Sequence, residues 1–153
     1  MKTRQPLKKH LFALCCLIMV SAGAFATDGI IIKDKLVQTF NKAFPNAQQV
    51  KWQEEKDMYT VNFYEHSILT KVRYDKAGNF IGSVRYYDGA NLPADIQSRL
   101  KKNYPDETIS VVMEVTSEAT LVYYIKLEDA ENWTTVKANA DDMQIVEQYK
   151  KSS

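Results

Sequence analysis

The sequence predicts an α+β fold: two tandem helix-plus-antiparallel-meander repeats forming one long sheet, with the helices on one face. Three observations predict it. The stretch "FNKAFPNAQQVKW", Phe40 to Trp52, is echoed 60 positions later by "LKKNYPDETISVV", Leu100 to Val112. Each copy holds an apolar stripe at helical spacing that stops at a proline. After each proline come strand-like runs parted by turn residues.

The chain opens with an export signal. Lys2, Arg4, Lys8 and Lys9 make a positive n-region, Leu11 to Val20 an apolar h-region, and Ala24-Phe25-Ala26 a small-x-small cleavage site. Residues 1–26 are therefore set aside as a signal peptide, with 27–89 as the first repeat and 90–153 as the second, packed together as one domain. The apolar run falls short of the roughly 20 residues a membrane span needs, so no span is expected after cleavage. Cleavage takes both cysteines, Cys15 and Cys16, which excludes disulfides, thiol nucleophiles and thiolate metal sites. It also leaves 16 basic residues against 19 acidic ones, a net charge of −3. A mildly acidic chain argues against nucleic acid as a partner.

The first helix is read from the stripe Ile32, Leu36, Phe40 and Phe44, and Pro45 ends it by disfavouring helical geometry at Phe44. The second starts at Pro93, a residue suited to a first helical turn, and carries Ile96, Leu100 and Tyr104 up to Pro105. Strands follow at about 48–53, 58–65, 68–74 and 80–87, then at 109–116, 121–128, 133–138 and 143–149. The later landmarks, "YTVNF" with "YYIKL" and "KVRYDKAGNFI" with "TVKANADDMQI", lie 64 positions apart through a few inserted residues. In "DKAGN" Gly78 supplies the left-handed residue of a hairpin loop, a conformation its counterpart Asp142 takes less easily.

The helix ends "AFPNA" and "NYPDE", the strands "VKW" and "YTVNFY", the hairpin "VRYDKAGNFIGSVRYY" and the following "LPADI" closely resemble the PepSY-like proteins exported by Gram-negative bacteria. The resemblance covers nearly all of the chain beyond the signal. It implies a fold like that of the β-lactamase inhibitor protein and a periplasmic or secreted module with a binding or inhibitory role. It supplies no catalytic residue. The missing glycine in the second hairpin departs from the pattern and puts that loop's geometry, not the fold, in question.

Hairpin register sorts the sheet's two faces. Pairing Asp75 with Asn79 sets Tyr74 against Phe80 and Val72 against Gly82, and a turn at His66-Ser67 sets Val61 against Val72. One face then holds Tyr59, Val61, Phe63, Val72, Tyr74, Phe80 and Val84, joined by Tyr123, Ile125, Leu127, Val136 and Val146, and should receive the helices. The other is expected to present Tyr64, Lys71, Arg73, Ile81, Arg85, Tyr87, Tyr124, Lys126, Trp133, Thr135, Lys137, Ile145 and Tyr149. Tyr64, Lys71, Arg73, Arg85, Tyr87, Tyr124, Lys126, Trp133, Lys137 and Tyr149 are the expected partner-binding residues, since Tyr, Trp and Arg combine large contact area with a polar handle.

Chemistry is harder to find. His66 is the one histidine beyond the signal, and it stands in a turn with no acid placed to orient it. One histidine and no cysteine make a poor zinc site. The acidic stretches 54–57, 128–132 and 141–142 lack the alternation of a calcium loop. No catalytic residue, metal or cofactor is assigned. The expectation is a non-enzymatic binding or inhibitor-like module, periplasmic or secreted, that docks a protein with an acidic or polar surface, such as an envelope or secreted enzyme. The alternative is a periplasmic sensor or carrier of a small ligand or envelope polymer, which calls for a pocket rather than a broad face.

Overall fold

The structure, a computed structural model, describes residues 32–152. The export signal lies outside them. Helix α1 spans Asp34–Ala43 and is followed by strands β1 (Gln48–Glu54), β2 (Met58–Glu65), β3 (Ile68–Asp75) and β4 (Phe80–Tyr87). A single 3-10 turn, Gly89–Asn91, leads to α2 (Ala94–Asn103), then β5 (Thr108–Ser117), β6 (Leu121–Glu128), β7 (Asn132–Ala138) and β8 (Met143–Lys150). All eight strands join in one sheet in chain order, each antiparallel to its neighbours.

Proline ends both helices in the same way. The residue before it cannot stay helical, and Phe44 and Tyr104 take nearly equal dihedrals, φ −130°, ψ 67° and φ −136°, ψ 63°. Each still donates its backbone N–H into the last turn, Phe44 to Phe40 at 2.9 Å and Tyr104 to Leu100 at 2.8 Å. The chain then drops onto the sheet beneath the helix it has just left.

Two apolar cores result. Leu36 and Phe40 of α1 pack on Tyr59, Val61, Phe63, Val72 and Tyr74. Leu92, Ile96 and Leu100 pack on Tyr87, Val112, Tyr123, Ile125, Leu127, Val136 and Ala138. Strand pairing runs Phe63–Thr70–Arg85–Glu114–Tyr123–Ala138 in one row, which puts both helices on the same face. The middle of that row is polar. Arg85 Nη1 donates to Glu114 Oε1 at 3.1 Å and the Tyr87 hydroxyl to Glu114 Oε2 at 2.7 Å, forming a hydrogen-bonded seam between the cores. Burial, then the carboxylate it faces, pushes the Tyr87 phenol far above its ordinary value.

The turns obey local chemistry. His66 and Ser67 both lie in the left-handed region, at φ 50° and 65°, as a two-residue hairpin demands. Gly78 takes φ 95° in the β3–β4 loop. The β7–β8 loop needs no such residue. There Asn139 Oδ1 accepts from the backbone of Asp141 and Asp142 at 2.9 and 2.7 Å, so a side chain closes the turn that a glycine shapes in the other hairpin.

Two bulges revise the expected faces. Tyr74 pairs with Phe80 but Arg73 pairs with Gly82, so Ile81 is an extra residue and every later position of β4 changes sides. Arg85 and Tyr87 therefore sit on the helix-covered face, with Tyr87 only 7% exposed, whereas Val84 moves to the open one. In β8 the extra residue is Val146, so Ile145 pairs with Val136 on the helix side. Glu147 and Tyr149, opposite Thr135 and Trp133, face the open side.

Candidate functional site

The open face is built from the side chains that alternate away from the helices. Its central row follows directly from strand register: Tyr64, Leu69, Tyr86, Met113, Tyr124 and Lys137 stand opposite one another on six successive strands. A second row, Asn62, Lys71, Val84, Val115 and Val122, runs beside it. Over β4, β5 and β6 the two rows give a continuous apolar and aromatic surface, widened by Val111 opposite Lys126. Tyr64 and Tyr86 remain 39% and 40% exposed although their strands are fully paired. None of the described elements lies over this surface.

Charge surrounds the apolar centre. Lys51, Lys71 and Arg73 share the open side of β1 and β3, and Lys126 and Lys137 share that of β6 and β7. Glu55 accepts from the Thr60 hydroxyl at 2.9 Å near the first edge, and Glu128 and Glu147 stand toward the other, both engaged. Glu128 pairs with Lys151 at 3.2 Å, and Glu147 accepts from the Tyr149 hydroxyl, which raises that phenol above its ordinary value. Two ammonium groups stand over the Trp133 ring, Lys126 Nζ at 4.7 Å and Lys151 Nζ at 4.5 Å from its centroid. Cation–π attraction thus ties the ring to both side chains beside β8.

Eight of the ten expected binding residues share this face: Tyr64, Lys71, Arg73, Tyr124, Lys126, Trp133, Lys137 and Tyr149. Arg85 and Tyr87 do not join them, for the bulge turns both under the helices. The apolar centre itself, Leu69, Val84, Tyr86, Val111, Met113, Val115 and Val122, was not among the expected residues. No face was assigned to β5, although the hairpin at Ser117–Thr120 joins it to β6 and sets Met113 opposite Tyr124. For β4 the missed signal was Gly82, since a glycine inside a strand marks a bulge.

His66 is exposed at the tip of its hairpin. Among the described residues no three His, Cys, Asp or Glu side chains converge in a way that could hold a metal ion. No helix among them is long and apolar enough to cross a membrane.

No protein-family model matches the chain. No curated protein matches it. Solved structures do. A DUF2874 family protein from Bacteroides ovatus superposes with a TM-score of 0.59 at 15% identity, over 80% of this chain and 89% of that one. A BLIP-like protein from Bacteroides fragilis gives 0.58 at 15% identity, again over 80% and 89%. A candidate periplasmic protein from Bacteroides eggerthii gives 0.58 at 13%, over 79% and 90%. At such identities the likeness speaks for backbone alone: the chain has the BLIP-like fold, one that resembles the β-lactamase inhibitor protein.

Proposed function

We propose that this is an exported, non-enzymatic binding module of two tandem PepSY-like units, which docks a protein partner through the open face of its sheet. One observation carries the reading: the row Tyr64–Leu69–Tyr86–Met113–Tyr124 is apolar, wide and uncovered, and cations flank it at both ends. The matching partner presents an apolar ridge edged by carboxylates. Large exposed apolar patches rimmed by polar residues mark such surfaces, and tyrosines within them supply much of the contact energy. Export rests on the signal read over residues 1–26, and the periplasm is the location most consistent with it and with the description of the Bacteroides eggerthii structure. The two-unit reading is supported by the shared helix ends at Phe44 and Tyr104 and by an extra residue in the fourth strand of each unit.

A photo-crosslinking side chain placed at Tyr86 in the native cell tests the reading. A discrete protein adduct is expected there and absent when the same group replaces Gln38 on the outer side of α1. Adducts of equal yield at both positions, or none at Tyr86, would remove the open face as the working surface.

A further inference from the structure

Among the described residues the sheet has two free edges, and they are not alike. At one, β1 is kinked where Gln49 takes φ 54° beside a bulge, and Trp52 ties the strand into its own core by meeting Phe40 at 5.3 Å. At the other, β8 pairs with β7 alone. Ile145, Val146 and Tyr149 on that strand are the most exposed large apolar side chains among the described residues. A bare edge of this kind offers unpaired backbone N–H and C=O groups to another strand.

Backbone phase fixes which groups it offers. Lys151 donates its N–H to the Glu131 carbonyl at 2.7 Å, just past the last paired residues, Asn132 and Lys150. In an antiparallel ladder bonded and non-bonded pairs alternate, so Lys150 and Gln148 turn their N–H and C=O groups away from β7. A second copy of β8, running antiparallel, can meet them in one of three ways. Gln148 against Gln148 carries the pairing into the bulge at Val146. Lys150 against Lys150 sets two like charges on the axis. Gln148 against Lys150 has neither fault: it opposes Glu147 to Lys151 at both ends and Tyr149 to its own copy at the centre. Tyr149, 59% exposed, then takes a non-bonded position, where side chains come closest. Lys151 Nζ gives two of its three N–H groups to Glu128 and Asp129, which leaves one for Glu147 of the second copy.

We infer that β8 pairs antiparallel with β8 of a second copy, centred on Tyr149, to make a two-fold dimer with one continuous sheet. The axis stands perpendicular to the sheet, so the helices of both copies share one side and the two open faces join on the other. Head-to-tail growth, with β8 on the next copy's β1 as β4 lies on β5, would oppose Glu147 to Glu55 and Lys151 to Lys51. Like charges at both places disfavour it. The contact is a single strand pair, smaller than a standard interface, so the dimer should be weak. It uses the β8 edge and not the central row of the open face, so either reading can fail without the other.

Sedimentation equilibrium of the processed chain, at concentrations up to about 1 mM, tests this. A monomer–dimer equilibrium is expected. Glu147→Lys alone and Lys151→Glu alone should each weaken the dimer at least about tenfold, because two attractive pairs become repulsive. An equimolar mixture of the two variants should restore it, since the mixed dimer has opposite charges at both ends. Gln148→Pro removes a backbone N–H that β7 does not use, so it should abolish the dimer and leave the unfolding midpoint close to the parent's. A monomer throughout, a mixture no tighter than its components, dimers that survive Gln148→Pro, or species that grow without limit would overturn the inference.

Discussion

Tyr86 stands directly opposite Met113 where β4 meets β5, the strand pair that joins the four-strand halves of the sheet. That pairing makes the middle of the open face apolar. On the other side of the same two strands, one residue away, Arg85 meets Glu114. The junction therefore bears a polar seam beneath the helices and an apolar surface toward solvent, the reverse of what the halves alone would suggest.

The seam should depend on Glu114 more than on Arg85. The Glu114 side chain is 13% exposed and accepts from two donors, whereas Arg85 is 39% exposed and screened by water. Glu114→Ala leaves the Tyr87 hydroxyl without its acceptor and should lower stability by about 1–3 kcal/mol. Arg85→Ala should cost less than about 1 kcal/mol. Urea unfolding of both variants measures the difference, and equal losses would contradict the assignment.

Alkaline pH should expose Tyr87. Its folded phenol is raised above the unfolded value near 10.0, first by burial and then by Glu114. A raised value means that the folded state holds the proton more tightly. The stability it contributes is complete below about pH 10 and is lost as pH climbs toward the folded value. Tyr87→Phe should flatten the fall in unfolding free energy between pH 9 and 11 (about that window). A fall as steep as the parent's would place the titration elsewhere, in Tyr74, Tyr104 or Tyr123, which burial also raises, or in Tyr149 beside Glu147.

The β2–β3 turn carries avoidable strain. His66 and Ser67 both hold positive φ, a conformation that costs an ordinary residue about 1–2 kcal/mol and an asparagine or glycine much less. Replacing the pair by Asn-Gly should raise stability by about 1 kcal/mol or more. The same variant removes the one histidine among the described residues. Retention of partner binding in it would leave His66 no role in function.

Gly82 should not tolerate a side chain. A Cβ there would lie 2.7 Å from the backbone oxygen of Thr116, closer than packed atoms allow. Gly82→Ala should cost about 1–3 kcal/mol by forcing β4 and β5 apart. Thermal unfolding measures it, and a neutral result would mean that the bulge region yields more readily than its geometry suggests.

Much of the architecture was legible in the sequence. Pro45 and Pro105 announced both helix ends, His66-Ser67 and Gly78 announced two hairpins, and the alternation of "YTVNF" and "YYIKL" fixed the faces of β2 and β6. Alternation fails where one residue is inserted. "FIGSVRYY" places two tyrosines side by side, so either face assignment looks aromatic, and the extra Ile81 decides between them. "IV" in β8 is ambiguous for the same reason, with Ile145 and Val146 both apolar. The seam was illegible because it depends on residues brought together from separate strands, Arg85 with Glu114.

The central claim is that the open face does the binding, and the most direct measurement compares three forms of the chain against the crosslinked partner. Tyr86→Ala with Tyr124→Ala removes the middle of the central row, Gln38→Ala with Lys42→Ala alters the outer side of α1, and the parent is the reference. Titration of each form should show the open-face variant weakened by more than about tenfold, as loss of a binding hot spot implies, with its unfolding midpoint close to the parent's. The α1 variant should bind as the parent does. Equal affinity for all three forms, or loss confined to the α1 variant, would contradict the account.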